Sequence, residues 1–215
     1  MYEYSFNDNF VVTKIKCILF DIGGVLVDWH MSWITSEVST RFDIKEDLII
    51  SAFDKHLPEL DSGKINESNF WRKIAIETKS DSLKNTKESL WDTYFRKNAV
   101  PKTEVKKFSV DLKQNGFTIG IISNIEKVTH NIVNDWNIIS HFEYQFMSYQ
   151  IGLSKPDPRI YEHVIQRLPY SVDEILFIDD KPSNVESAEN CGMSSIHFRN
   201  LDDLQSALNQ LEVRI

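Results

Sequence analysis

The sequence predicts an α/β fold, a three-layer sandwich whose central parallel sheet is interrupted by a helical insert. Two observations carry this. Four apolar runs, KCILF, FTIGII, EILFI and SSIHF, have strand character, and amphipathic helical patterns lie between the later ones. Strand and helix in alternation imply right-handed crossovers, with helices on both faces of the sheet. By contrast, residues 31 to about 103 show only helical patterns, so a separate module interrupts the alternation directly after the first strand.

Each element has its own signal. Cys17, Ile18, Leu19 and Phe20 read as a strand buried on both faces. It stops at Asp21, whose charge needs a partner when desolvated, and Gly23 and Gly24 follow at once. A helical pattern over 104–115 ends at Gly116, a good left-handed stop. Another, over 125–136, follows Ser123-Asn124. Asp157 suits the cap of a helix that begins at Pro158 and runs to about Leu168. The patterns over 183–191, stopped by Gly192, and over 201–211 complete the series. Within the insert, Phe70, Trp71 and Ile74 share a face, as do Leu90, Trp91, Tyr94 and Phe95, with a helix start at Asp81-Ser82 between them. These aromatic residues read as the insert's own core. A tight turn is expected around Leu57 to Lys64, where Gly63 permits it.

Composition narrows the function. With 215 residues, 41% of them hydrophobic and 12% aromatic, the chain buries a sizeable core. A net charge of −8 argues against non-specific binding to nucleic acid or to anionic membranes. A small anionic substrate stays compatible, because a local cation reverses the field in one cleft. Cys17 and Cys191 make no disulfide framework and read as packing residues. The segment MYEYSFNDNFVVTK lacks an apolar signal core, and no run reaches membrane-spanning length. The expectation is a soluble cytoplasmic protein, monomeric by default. His56, His130, His141, His163 and His197 show no shared metal-ligand spacing.

In an open parallel sheet, ligands bind beyond the carboxyl ends of the strands. Asp21, Ser123-Asn124, Lys155 in LSKPDP and Asp179-Asp180 in FIDDKPSN fall at such ends or in the loops beside them. Together they fit one chemistry. A carboxylate nucleophile takes a phosphoryl group, and water then cleaves the acyl phosphate. Attack on a dianion calls for a divalent cation, and magnesium prefers oxygen ligands. Asp21, Asp180 and a backbone carbonyl two residues past Asp21 offer these. Ser123 offers a hydrogen bond to phosphate, Lys155 a fixed positive charge, and Gly23 and Gly24 a sharp turn close to the transferring group.

The order of these motifs resembles the haloacid dehalogenase-like superfamily of phosphohydrolases. FDIGGVLVD is similar to its first motif, IISN to the second, SKPDP to the third and FIDDKPSN to the fourth. The resemblance implies a Rossmann-like core over 1–30 and 104–215, with a helical cap over 31–103. It implies Asp21 as nucleophile, with Asp21, the Gly23 carbonyl and Asp180 as magnesium ligands. Ser123, Asn124 and Lys155 fall in the phosphate set, Asp179 and Asn184 support the metal's water shell, and Asp28 starts the cap hinge. The implied substrate is a small phosphorylated metabolite.

One position departs from the pattern. The family's phosphatases usually read Asp-x-Asp in motif one, and this chain has Asp21-Ile22-Gly23. Loss of that second carboxylate removes acid–base assistance, typically worth about 10²–10⁴-fold. Three readings follow: a slow phosphatase for good leaving groups, one that borrows an acid from Asp28, His30 or a cap residue, or a binder of phosphorylated ligands without turnover. A phosphomutase on the same scaffold is a further alternative, which missing acid–base help makes less attractive. A dehalogenase is disfavoured, because Asp179-Asp180 burdens a site for a carboxylate substrate.

Overall fold

The computed structural model describes residues 15–213, so the reading of the first fourteen residues lies outside it. In chain order, β1 (Cys17–Phe20) and the short β2 (Val27–Asp28) precede the helices α1 (Met31–Phe42), α2 (Glu46–Asp61), α3 (Glu67–Glu77), α4 (Asp81–Lys84) and α5 (Leu90–Asn98). Then come β3 (Val100–Pro101), α6 (Thr103–Gln114), β4 (Thr118–Ser123), α7 (Lys127–Asp135), β5 (Tyr144–Met147), α8 (Ser148–Ile151) and α9 (Pro158–Ile165). A 3-10 turn (Val172–Glu174) leads into β6 (Ile175–Asp179), α10 (Pro182–Asn190), β7 (Ser194–His197) and α11 (Leu201–Gln210).

The main sheet has the order β5-β4-β1-β6-β7, and every pairing in it is parallel. β1 therefore lies at the centre, hydrogen-bonded to β4 on one side and to β6 on the other. Phe20 pairs in register with Ile121 and with Ile178. The chain order reverses direction across β1, which opens a crevice at its carboxyl end. All four residues of β1 are fully buried. Ile18 and Phe20 join a core cluster that continues into the insert, and Cys17 and Leu19 join a second cluster with Ile122, Tyr161 and Phe177.

β2 and β3 pair antiparallel, Val27 with Pro101 and Asp28 with Val100, so the chain leaves and re-enters the sheet region through one small ribbon. Between them α1 to α5 pack around aromatic rings. Phe53 lies 4.9 Å from Phe70 and 5.6 Å from Trp71, centroid to centroid. Phe95 stacks on Trp136 at 5.9 Å, and Trp91 Nε1 donates to Thr129 Oγ1 at 2.7 Å, both across to the sheet-bearing part. Trp71, Trp91, Tyr94 and Phe95 are all buried, as the helical spacing predicts.

Three expectations need correction. No strand was expected at β5, where Tyr144 and Gln145 keep exposure and only Phe146 and Met147 are buried, too short an apolar run to stand out. The turn expected around Leu57 is helix to Asp61: Pro58 lies inside α2 on its exposed side, where a lost backbone hydrogen bond is made up by water. Only Gly63, just beyond, takes a left-handed conformation, at φ +68°. Cys191 keeps partial exposure, whereas Cys17 is enclosed and burial pushes its thiol up to about 12. Among the described residues no helix is long and apolar enough to cross a membrane.

The insert presses closely on the rest. A Cβ on Gly63 would collide with the carbonyl oxygen of Tyr149. Gly63→Ala is expected to lower stability by about 1–3 kcal/mol in urea unfolding. Gly152→Ala, also at positive φ but facing open space, carries only the backbone penalty and should cost less. Equal losses in the two variants would show that the contact with Tyr149 is not tight.

Candidate active site

The carboxyl ends of β1, β4 and β6 lie side by side, and the sequence places Asp21, Ser123 and Asp179 there. Lys155 reaches in from the loop before α9. Its ammonium lies 2.9 Å from Asp21 Oδ1 and 2.5 Å from Asp179 Oδ2, and donates to the Ile122 carbonyl at 2.9 Å. Lys155 is 4% exposed and Asp179 0%, so the charges are satisfied by one another rather than by water. Burial works against the ammonium, but Asp21 and Asp179 outweigh it and hold Lys155 above the ordinary lysine range.

The surrounding amides keep this arrangement in place. Asn124 brackets the Lys155 backbone: its Nδ2 donates to the Lys155 carbonyl and its Oδ1 accepts from the Lys155 N–H, both at 2.8 Å. The Asn124 side chain is thereby committed to positioning Lys155. Asn184 Nδ2 donates to both oxygens of Asp179, at 2.9 and 3.1 Å, and Lys181 N–H donates to Asp179 Oδ1 at 2.8 Å. Asp21 Oδ1 also accepts from the Ile22 N–H at 2.7 Å.

Asp180 is different. Its Oδ1 is buried and has no hydrogen-bond partner among the described residues. Asp21, Asp179 and Asp180 each bring a carboxylate oxygen within 4.8 Å of the others. Three carboxylates gather around the Lys155 ammonium, with Lys181 acting on Asp180 as well, so negative charge outnumbers positive. Burial pushes Asp21 up to about 6, with Asp179 adding to the rise and Lys155 and Ser123 opposing it. A buried, unpartnered oxygen in an all-oxygen cluster short of positive charge fits a hard divalent cation. Gly24 makes room for it: φ is +75°, and a Cβ there would strike the Asp180 carboxylate. Lys102 Nζ donates to the Gly24 carbonyl at 2.6 Å and steadies the turn.

The cluster opens on a cavity of about 470 Å³ lined by both the sheet loops and the insert. Asp28 and His30 line it, 3.9 Å apart, with about half and nearly two-thirds of their side chains exposed. The cavity also reveals residues that the sequence reading did not single out. Trp29 Nε1 stands 2.7 Å from where a Cβ of Gly23 would project, so the indole fills the space above the turn. An aspartate at 23 would have to displace that ring. Asp61, at the end of α2, and Glu126, the N-cap of α7, line the cavity too. Glu126 Oε1 accepts from Thr129 N–H and Oγ1, both at 2.6 Å. Burial pushes both carboxyls up to about 7, with Asp61 adding to the rise at Glu126. The one sequence hint at Asp61 is an acidic side chain at the C-terminal end of a helix, where the dipole disfavours negative charge.

A family model described as haloacid dehalogenase-like hydrolase matches residues 15–192. The chain is 27% identical over 216 residues to the bifunctional epoxide hydrolase 2 of Rattus norvegicus, covering 92% of this chain and 38% of that protein. It therefore spans well under half of that longer relative. It is 25% identical over 213 residues to the D-ribitol-5-phosphate phosphatase of Bacteroides thetaiotaomicron, covering 90% of this chain and 97% of that one. The solved magnesium complex of a HAD family enzyme from the same organism shares the fold, with a TM-score of 0.74, 23% identity, and coverage of 91% of this chain and 98% of the other.

The raised carboxyls set a pH dependence of stability. A group whose folded pKa lies above its unfolded value holds its proton more tightly in the native state. Its contribution is complete below the ordinary carboxyl range and is lost as pH rises through the folded value near 7. Without added metal, urea unfolding should therefore show lower stability at pH 8 than at pH 5.5, by ~1–3 kcal/mol for Glu126. Glu126→Gln should flatten that slope, and an unchanged slope would refute the assignment.

Proposed function

The chain belongs to the haloacid dehalogenase-like hydrolase family, and on that premise we propose that it is a magnesium-dependent phosphatase of small phosphate monoesters, such as sugar phosphates. The observation that carries this is the buried Lys155 ammonium shared by Asp21 and Asp179, beside the unpartnered Asp180 oxygen, on the floor of a metabolite-sized cavity. The likeness to the D-ribitol-5-phosphate phosphatase of Bacteroides thetaiotaomicron supports the substrate class.

In this reading Asp21 attacks phosphorus, the ester P–O bond breaks, and an aspartyl phosphate forms on Asp21. Water then attacks that phosphorus and regenerates the carboxylate with release of phosphate. Lys155 holds Asp21 in position and neutralises part of the charge, and Ser123 donates to a phosphoryl oxygen. Asp21, Asp180 and the Gly23 carbonyl would hold magnesium, which when bound screens the substrate dianion from the carboxylates. Asp179 and Asn184 maintain the geometry behind these ligands. Residues 31–103 act as the cap that closes the cavity.

A binder of phosphorylated ligands without turnover is the second reading, favoured by the absence of any carboxylate at position 23. Hydrolysis of p-nitrophenyl phosphate with magnesium separates the two. The phosphatase reading expects turnover that Asp21→Asn abolishes while the fold is retained. Equal rates in the two proteins would remove Asp21 as nucleophile, and phosphate-dependent thermal stabilisation without turnover would favour the binder.

A further inference from the structure

The phosphatase reading leaves one step without a residue. When the ester bond breaks, the departing alkoxide needs a proton, and Gly23 with Trp29 above it supplies none. Asp28, His30, Asp61 and Glu126 are the carboxyl and imidazole groups of the cavity outside the Asp21, Lys155 and Asp180 cluster. Asp28 and His30 lie well exposed and face one another. Glu126 is occupied in capping α7 through Thr129. Asp61 lines the cavity with neither a side-chain hydrogen bond nor an ion pair among the described residues, whereas Asp28 pairs with His30 and Glu126 with Thr129.

Its position is fixed by the backbone rather than by the side chain. The Asp61 carbonyl accepts from Ser148 Oγ at 2.5 Å, and the same hydroxyl accepts from the Ile125 N–H at 2.9 Å. Ile125 is two residues past Ser123. The end of α2 is thus anchored on the loop that carries Ser123, and the close fit of Gly63 on Tyr149, the residue after Ser148, adds to the anchor. No basic residue stands in the last turn of α2, so nothing on the helix itself offsets an anion there.

We propose, resting on the phosphatase reading, that Asp61 is the leaving-group acid and the base for the attacking water. In the first half-reaction its carboxyl donates the proton to the ester oxygen as the P–O bond breaks, leaving a carboxylate and a neutral alcohol. In the second, that carboxylate takes a proton from the water that attacks the aspartyl phosphate, and the acid form returns. Protons balance over the cycle, and the acid arrives from the cap in place of the turn after β1.

Its surroundings suit the role. Burial raises Asp61 to about 7, and Lys181 works in the opposite direction. Glu126 faces it from the start of α7, and Asp28, His30, Lys102 and Arg199 are the other charged or titratable groups of the cavity walls, above Asp21, Lys155 and Asp180. A carboxyl balanced between its two forms near neutral pH serves both half-reactions.

The test compares two leaving groups. In the full chain with magnesium, Asp61→Asn should lower kcat/KM for an alkyl ester such as ribitol 5-phosphate by about 10²–10³-fold. It should change p-nitrophenyl phosphate by less than about threefold, because that leaving group needs little protonation. The alkaline fall in the alkyl-ester rate should vanish in the variant, and Asp61→Glu should restore part of the alkyl activity. Equal losses on both esters, or no loss on either, would overturn the role of Asp61 while leaving the phosphatase reading intact. A wild-type protein inactive on both esters would overturn both together.

Discussion

The interaction on which the site depends is the ion triad of Lys155 with Asp21 and Asp179, largely buried at the carboxyl ends of β1 and β6. Removing one partner of such a buried set leaves an uncompensated charge and costs about 3–5 kcal/mol. The arrangement persists because neighbouring amides hold each member of it. Asn124 fixes the Lys155 backbone, Asn184 and the Lys181 amide occupy Asp179, and the Ile22 amide holds Asp21. Asp180 Oδ1 is left without a partner among the described residues, with the Asp21 and Asp179 carboxylates beside it. An unpartnered oxygen among excess negative charge is where a divalent cation fits.

The fold explains why these groups meet. With β1 at the centre of a parallel sheet, its two neighbours come from distant parts of the sequence, and their ends bring Ser123 and Asp179 to either side of Asp21. The insert then roofs the crevice. It is joined to the sheet region by a two-stranded ribbon, and its tip is bound to the phosphate loop through Ser148. The cavity therefore has a charged floor and a mixed roof, to which the insert brings Met31, Leu57, Asp61, Trp91 and Phe95. Trp29, Trp91 and Phe95 lie within 6.3 Å of one another along the path through Trp29.

Much of this is legible in the residues alone. Strands β1, β4 and β6 are dense apolar runs, and each run stops at the polar residue that the site uses. The helices announce themselves through caps such as Asp157 before Pro158, where the carboxylate accepts from the Arg159 N–H at 3.0 Å. Less legible is whatever depends on contacts distant in sequence. β5 has two buried residues and no pattern of its own. Gly63 signals a turn correctly, but the helix before it runs on to Asp61, with Pro58 inside it. Gly23 reads as a missing carboxylate, yet nothing local shows that the Trp29 indole stands over it. Asp61 carries no motif, and only the bond from Ser148 to its carbonyl places it beside the phosphate loop.

The central claim is electrostatic, so the most direct measurement follows the ionisation of Asp21. A carbon-13 NMR titration of its carboxyl should place the group near 6 without metal, and magnesium at saturating concentration should draw it far below that. An Asp21 titration that magnesium leaves unmoved would contradict the account, since the cation would then lie elsewhere and the carboxylate would lack the screening that phosphoryl attack requires.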